Sequence, residues 1–159
     1  MKKQNIRRLL IFLLILFFLI SCEEDSVSPN KKNPSNSIEK EVHQLINAHR
    51  TGMGLDPLEW NETIATECRT HSREMANAHT INHDGFYDRV NKIKGTIPWS
   101  WAGENVAYNY SAQGAVTAWL NSPGHKSNIE SNSNLTGVGV AFDEDSVMYF
   151  TQIFIKSRN

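Results

Sequence analysis

His83, Glu104 and His125 are the side chains of this 159-residue chain whose types and spacing suit chemistry. They recur 21 residues apart, and each sits beside a turn former or a capping residue: Asn82-His83-Asp84-Gly85, Gly103-Glu104-Asn105 and Ser122-Pro123-Gly124-His125. Imidazole and carboxylate are the groups that bind a borderline divalent metal or move protons near neutral pH. The turn residues let each side chain project from a loop end into a cleft instead of into packed core. Two neutral imidazoles and one carboxylate suit zinc with an open coordination position. The same three residues can also bond one another and tie loops to a sheet, so ligand binding, catalysis and a structural network are all open on this pattern. No nucleophile accompanies them. Ser122 and Ser127 flank His125, but the chain holds no Gly-x-Ser-x-Gly elbow.

The elements that must position these residues follow from periodicity. Asn36 and Glu39 form a capping pair ahead of a first helix with Ile38, Val42, Leu45 and Ile46 on one face, ended by Gly52 and Gly54. Leu55 to Trp60 reads as a connecting loop. Asn61 caps a second helix whose apolar face carries Ile64, Ala65, Cys68, Ser72, Met75 and Ala76. Arg89 and Val90 fall in a short helix, Thr96 to Trp101 in a loop, and Glu104 to Tyr108 in a short strand. Ser111 caps a third long helix bearing Ala112, Ala115, Val116, Trp119 and Leu120, broken at Pro123-Gly124, with a helical turn over Ser127 to Glu130. Leu135–Phe142 and Val147–Ile155 are strands joined by the turn Asp143-Glu144-Asp145-Ser146. This order fits helices packed on an antiparallel sheet, in one domain over residues 37–159.

Other histidines read as ordinary. His43 lies off the apolar stripe and is expected in solvent; His49 is expected on a backbone partner. His71 faces the core as a packed, hydrogen-bonded residue, and His79 sits by a helix end where it favours the dipole. Trp119 belongs to the core by its spacing. Trp99 and Trp101, just ahead of Glu104, are candidate ligand contacts.

Over nearly all of residues 37–158 these pieces resemble the CAP superfamily (cysteine-rich secretory proteins, antigen 5, pathogenesis-related 1) in its compact bacterial form. The residues that carry the resemblance are Asn47 and Arg50 with Gly54-Leu55-Asp56-Pro57-Leu58, then His71, Met75 and Ala76, then His83-Asp84-Gly85-Phe86 with Arg89. Gly103-Glu104-Asn105-Val106-Ala107 and Trp119-x-x-Ser-Pro-Gly-His125-x-x-Asn128-Ile129 are the most specific, and Gly137-Val138-Gly139-Val140-Ala141 and Gln152-Ile153-Phe154 close it. The resemblance implies an α+β three-layer α-β-α sandwich with a central antiparallel sheet. It implies that His83 and His125 hold a divalent metal such as Zn²⁺, with Glu104 orienting a histidine or a water, and no organic cofactor. Many members carry a second glutamate three residues after the helical tryptophan. Here that position is Ser122, which weakens any transfer of two-carboxylate acid–base chemistry. Asn105, Asn128 and Ser122 line or frame the cleft, the asparagines by fixing backbone around Glu104 and His125 and Ser122 as a helix cap.

The start of the chain reads as an address. Lys2, Lys3, Arg7 and Arg8 precede an apolar run, Leu9–Ile20, that is too short to span a bilayer and has signal-peptide proportions. Leu19-Ile20-Ser21-Cys22 resembles a bacterial lipobox, in which Cys22 is acylated, the alternative being an ordinary cleaved signal. Glu23-Glu24-Asp25 is either a solvated tether or similar to the acidic export signal of surface lipoproteins. Residues 1–21 are thus the leader and 22–36 a tether. The chain has two cysteines. With Cys22 on lipid, Cys68 is a buried free thiol and no disulfide framework exists. The formal net charge is −1. No Lys/Arg-rich run follows the leader, which excludes a nucleic-acid partner of the usual kind.

The expected function is therefore a monomeric cell-envelope lipoprotein, at the outer membrane or cell surface. Its cleft binds a metal, a small lipid or a glycan. A metal-assisted hydrolase of peptide or cell-wall polymer and a structural envelope protein are the alternatives.

Overall fold

The computed structural model describes residues 34–158. The leader, Cys22 and most of the tether lie outside the described residues. Nine elements follow in order. They are α1 (Pro34–Gly52), β1 (Glu59–Trp60), α2 (Glu62–Ala78), α3 (Phe86–Lys94), β2 (Trp99–Tyr108), α4 (Ala112–Asn121), α5 (Pro123–Ile129), β3 (Leu135–Phe142) and β4 (Met148–Ser157). The sheet order is β1-β3-β4-β2. β2, β4 and β3 pair antiparallel, whereas the two-residue β1 pairs parallel with β3. The expected antiparallel sheet is thus mixed, because Glu59-Trp60, read as loop, joins its edge.

Strand alternation divides the core into two layers. On one face α1, α4 and α5 bury Val42, Ile46, Val116, Trp119 and Ile129 against Val138, Phe150 and Phe154. On the other, α2 and α3 bury Ile64, Cys68, Val90 and Ile93 against Ile153 and Ile155. β4 serves both layers with alternate residues, which is why its run of apolar side chains is almost continuous. The α-β-α sandwich is thereby the observed architecture. No helix among the described residues is long and apolar enough to cross a membrane.

α2 lies unusually close to β3. A Cβ on Gly137 would stand 2.2 Å from the Ala65 backbone nitrogen, and one on Gly139 2.1 Å from that of Arg69. Only glycine permits this approach. It lets the Cys68 thiol donate to the Gly137 carbonyl at 3.3 Å and the Ser72 hydroxyl to the Gly139 carbonyl at 2.9 Å.

Both edges of the sheet are closed by side chains. At the β2 edge, Asn128 Nδ2 donates to the Glu104 carbonyl at 3.1 Å and Trp119 Nε1 to the Val106 carbonyl at 2.9 Å. At the β3 edge beyond β1, the Val140 N–H donates to Glu39 at 3.2 Å and Arg73 donates to the Phe142 carbonyl at 2.7 Å. Glu39 is buried and also receives Arg69 Nη2 at 2.7 Å. It is therefore not the partner of a cap at Asn36. α1 begins at Pro34, and Asn36 lies inside it.

The remaining differences are local. β2 starts five residues earlier than its apolar stretch suggests, because a register shift between Trp99 and Trp101 absorbs the irregular start. α4 stops at Asn121, ahead of Pro123-Gly124 as expected, but Pro123 also opens α5, four residues before the expected turn at Ser127, since proline is pre-shaped for a first helical position. His43 is half-buried, not solvated: its Nε2 lies 2.9 Å from the Leu58 carbonyl, where the Asn47 amide also grips the Leu58 backbone. His49 meets a carboxylate, Glu130 at 2.8 Å, instead of a backbone group. His71 is buried, with Nε2 at 2.9 Å from the Asn82 carbonyl, in keeping with its position on α2.

Candidate functional site

The turn between α2 and α3 places His83. The Asn82 side chain accepts the Asp84 N–H at 2.9 Å, closing a local turn, and Gly85 caps α3 in the left-handed region at φ 70°. The imidazole that results is 53% exposed, with Nδ1 at 2.8 Å from Glu104 Oε1. Glu104 projects from β2 into the α2–α3 layer, where its side chain is only 2% exposed. A buried carboxylate needs a cation, and Arg89 of α3 supplies it. Nε donates to Oε2 at 3.0 Å, and Nη2 reaches Oε1 at 2.9 Å and Oε2 at 2.7 Å. Arg89 is buried as well and also donates through Nη1 to the Asp84 carbonyl, so it fixes the His83 turn and Glu104 at once.

His125 comes from the other helical layer, in the first turn of α5. Because β2 is the edge strand, groups from both layers can meet past it. Asn105, fully buried, donates to the His125 carbonyl at 3.1 Å, and Asn128 donates to Asn105 Oδ1 at 2.9 Å. The two asparagines thus bolt α5 to β2 and set His125 relative to Glu104. Burial lowers the basicity of His125, and the nearby His83 lowers it further. An imidazole in that state is held neutral, the form that ligates metal.

The other candidates divide. Ser122 occupies the cap position of α5 but makes no side-chain capping bond. Asn105 lies beneath the cleft, its amide committed to α5. Trp99 turns into the α2–α3 layer, donating Nε1 to the Val90 carbonyl at 2.9 Å with Lys94 over its ring at 5.1 Å. Trp101, across the register shift, is 38% exposed and lies over Gly103, where a Cβ would meet its ring at 2.6 Å. That close approach explains the glycine ahead of Glu104. Ile81 and Tyr87, on either side of His83 in sequence, are exposed apolar side chains that neither motif nor periodicity singles out. Arg89 belongs to a recognisable motif, but nothing in the sequence marks it as the partner of Glu104. The available signal is a lone arginine next to Val90 on the buried side of a short helix.

A three-layer sandwich with a histidine from each helical layer beside one sheet edge defines a class of small α-β-α domains. The chain belongs to the CAP family, described as the cysteine-rich secretory protein family, whose model matches residues 43–154. It is 36% identical over 138 residues to the uncharacterized membrane protein YlbC of Bacillus subtilis, covering 82% of this chain and 38% of that protein. Among solved structures it resembles an outer surface protein of Borrelia burgdorferi, with a TM-score of 0.70, 23% identity and coverage of 77% of this chain and 94% of that one. An extracellular SCP-domain protein of Bacillus anthracis matches with a TM-score of 0.66 and 29% identity over 77% of this chain and 41% of that one. The chain thus spans about two-fifths of the lengths of YlbC and of the B. anthracis protein.

Proposed function

We propose that this chain is a cell-envelope binding module, anchored through lipid on Cys22, whose cleft at His83 and His125 takes a divalent metal ion and a small polar or amphipathic ligand without transforming it. The observation that carries the reading is the state of Glu104. Both carboxylate oxygens receive Arg89 and one also meets His83. A general base needs a lone pair directed at a substrate proton, and here those positions are filled. Glu104 instead orients His83 by its Nδ1 and leaves Nε2 to face a ligand, the arrangement that readies an imidazole for metal. Ser122 stands where a second carboxylate would complete an acid–base pair.

The donor set fits a weakly held ion. Among the described residues no group of three or more His, Cys, Asp or Glu is placed to hold a metal. An ion would rest on His83 and His125, with water or the ligand filling its other positions. Such an ion would supply a positive centre for a ligand carboxylate, phosphate or hydroxyl. Exposed Ile81 and Tyr87 by the His83 turn offer apolar contact to the rest of a lipid or glycan. The envelope location is supported by the apolar run Leu9–Ile20 just ahead of Cys22 and by the membrane, outer-surface and extracellular descriptions of the related proteins.

Zinc titration by calorimetry tests the site. The protein is expected to bind zinc at neutral pH and gain thermal stability with it, and His83→Ala and His125→Ala are each expected to abolish both effects. Zinc-dependent turnover of a peptide or cell-wall polymer that disappears in Glu104→Ala would establish the hydrolase instead. No heat and no stabilisation in any variant would leave the three residues as a structural network.

A further inference from the structure

A second recess lies beside this cleft and uses none of its three residues. It is a groove of about 800 Å³ between α5, the start of β2 and the end of β4, whose lining includes Trp101, Pro123, Lys126, Ser127 and Lys156. A smaller recess of about 320 Å³ shares Glu130, Ser131, Asn132 and Lys156 with it. The two are therefore one elongated trough. One part of the Trp101 ring packs on Gly103, while 38% of the residue stays exposed along the trough. A fixed, half-covered indole is a stacking platform, rigid before anything binds. Lys126 and Lys156 stand along the trough with loose engagements, 3.8 Å to Glu130 and 3.4 Å to Asn132. Of the two acids on the joined lining, Glu130 is drawn toward α1 by His49 at 2.8 Å, and Asp56 lies in the smaller recess beside the Arg50 guanidinium. Ser127 and Asn132 add hydroxyl and amide groups at the rim.

We propose that this trough binds an extended, carboxylated saccharide, independently of the histidine cleft. Trp101 stacks on the apolar face of a sugar ring, Lys126 and Lys156 receive ring carboxylates, and the Ser and Asn groups meet hydroxyls. The chemistry argues against a lipid, because Trp101, Pro123 and Leu55 are the large apolar members of a joined lining that is otherwise mostly polar or charged. It argues against a neutral sugar, because two lysines face the trough in a chain whose formal charge is −1. The continuation of the groove into the smaller recess argues for several linked units over one.

Calorimetric titration with a short oligogalacturonate tests the proposal. Binding is expected that weakens with salt, with a neutral glucose oligomer of the same length binding far less. The double variant Lys126→Glu/Lys156→Glu, confined to partly exposed side chains outside the core, should bind about tenfold more weakly or worse. Trp101→Phe should keep part of the affinity that Trp101→Ala loses, and His83→Ala should bind as the parent does. No binding of oligogalacturonate, or undiminished binding by the lysine variant, would overturn the proposal. Equal affinity for polyglutamate would overturn the saccharide assignment, and loss of binding in His83→Ala would place the ligand in the histidine cleft.

Discussion

Burial and a second imidazole both hold His125 in its neutral form, and that makes its titration a probe of the cleft. In metal-free buffer its NMR titration is expected below the ordinary histidine value of about 6.5. Removing the neighbour in His83→Ala should move it only part of the way back, since burial is the larger cause. A full return would mean that the two imidazoles, not burial, set the shift. Arg89 carries the other residue-scale prediction. Arg89→Gln would leave the Glu104 carboxylate buried without its cation, a loss of about 3 kcal/mol or more, read as a lowered denaturation midpoint. Arg89→Lys should restore little, because a single ammonium cannot reproduce the two-pronged contact. At this scale His83, Glu104 and His125 are legible in the sequence because turn residues surround each. The function of Arg89 is not. A pair such as Arg89–Glu104, 15 residues apart and on different elements, is visible only once α3 has been laid against β2.

Elements depend on contacts that the one-dimensional pattern records unevenly. β3 has the limits its sequence suggests, Leu135–Phe142, because turn residues bound it on both sides. The apolar face of α2 is likewise complete in the pattern, since Ile64, Cys68, Ser72 and Met75 obey the helical period and are buried. β1 is not visible there, because two residues have no periodicity and its pairing is supplied by β3. The early start of β2 is hidden by the irregularity at Ser100. The sharpest element-scale prediction concerns the α2–β3 contact. Gly139→Ala drives a methyl group into the α2 backbone, which cannot yield as a side chain could. The helix must lift, with a destabilisation of about 3 kcal/mol measurable by denaturant unfolding. The same lift should open Cys68, so thiol labelling, slow in the parent because the sulfur is buried, should quicken in the variant. Unchanged stability would show that α2 rides higher than described.

For the molecule as a whole, acid should weaken the fold in two stages. His125 has its basicity lowered in the folded state, so the unfolded chain takes up its proton first. That contribution is complete above about pH 6.5 and is lost as pH falls below it. Glu62 is held below the usual carboxylate range, chiefly by Arg69 and then by Trp60. Its contribution persists to about pH 4.3 and is lost below that. A thermal midpoint followed from neutral pH downward should show both declines, and His125→Gln should flatten the first alone. The sealed sheet edges have a consequence for what the domain can recognise. Many proteins capture extended peptides by adding them as another strand, and unguarded strands do the same to one another. With Asn128 and Trp119 over one border and Glu39 and Arg73 over the other, the Glu104, Val106 and Phe142 carbonyls and the Val140 N–H that such a guest would use are taken by the domain's own side chains. Copies at high concentration can lie flank to flank with less tendency to zip into fibres. A strand-mimicking peptide would have to displace these side chains, which makes it a poor starting point for a ligand.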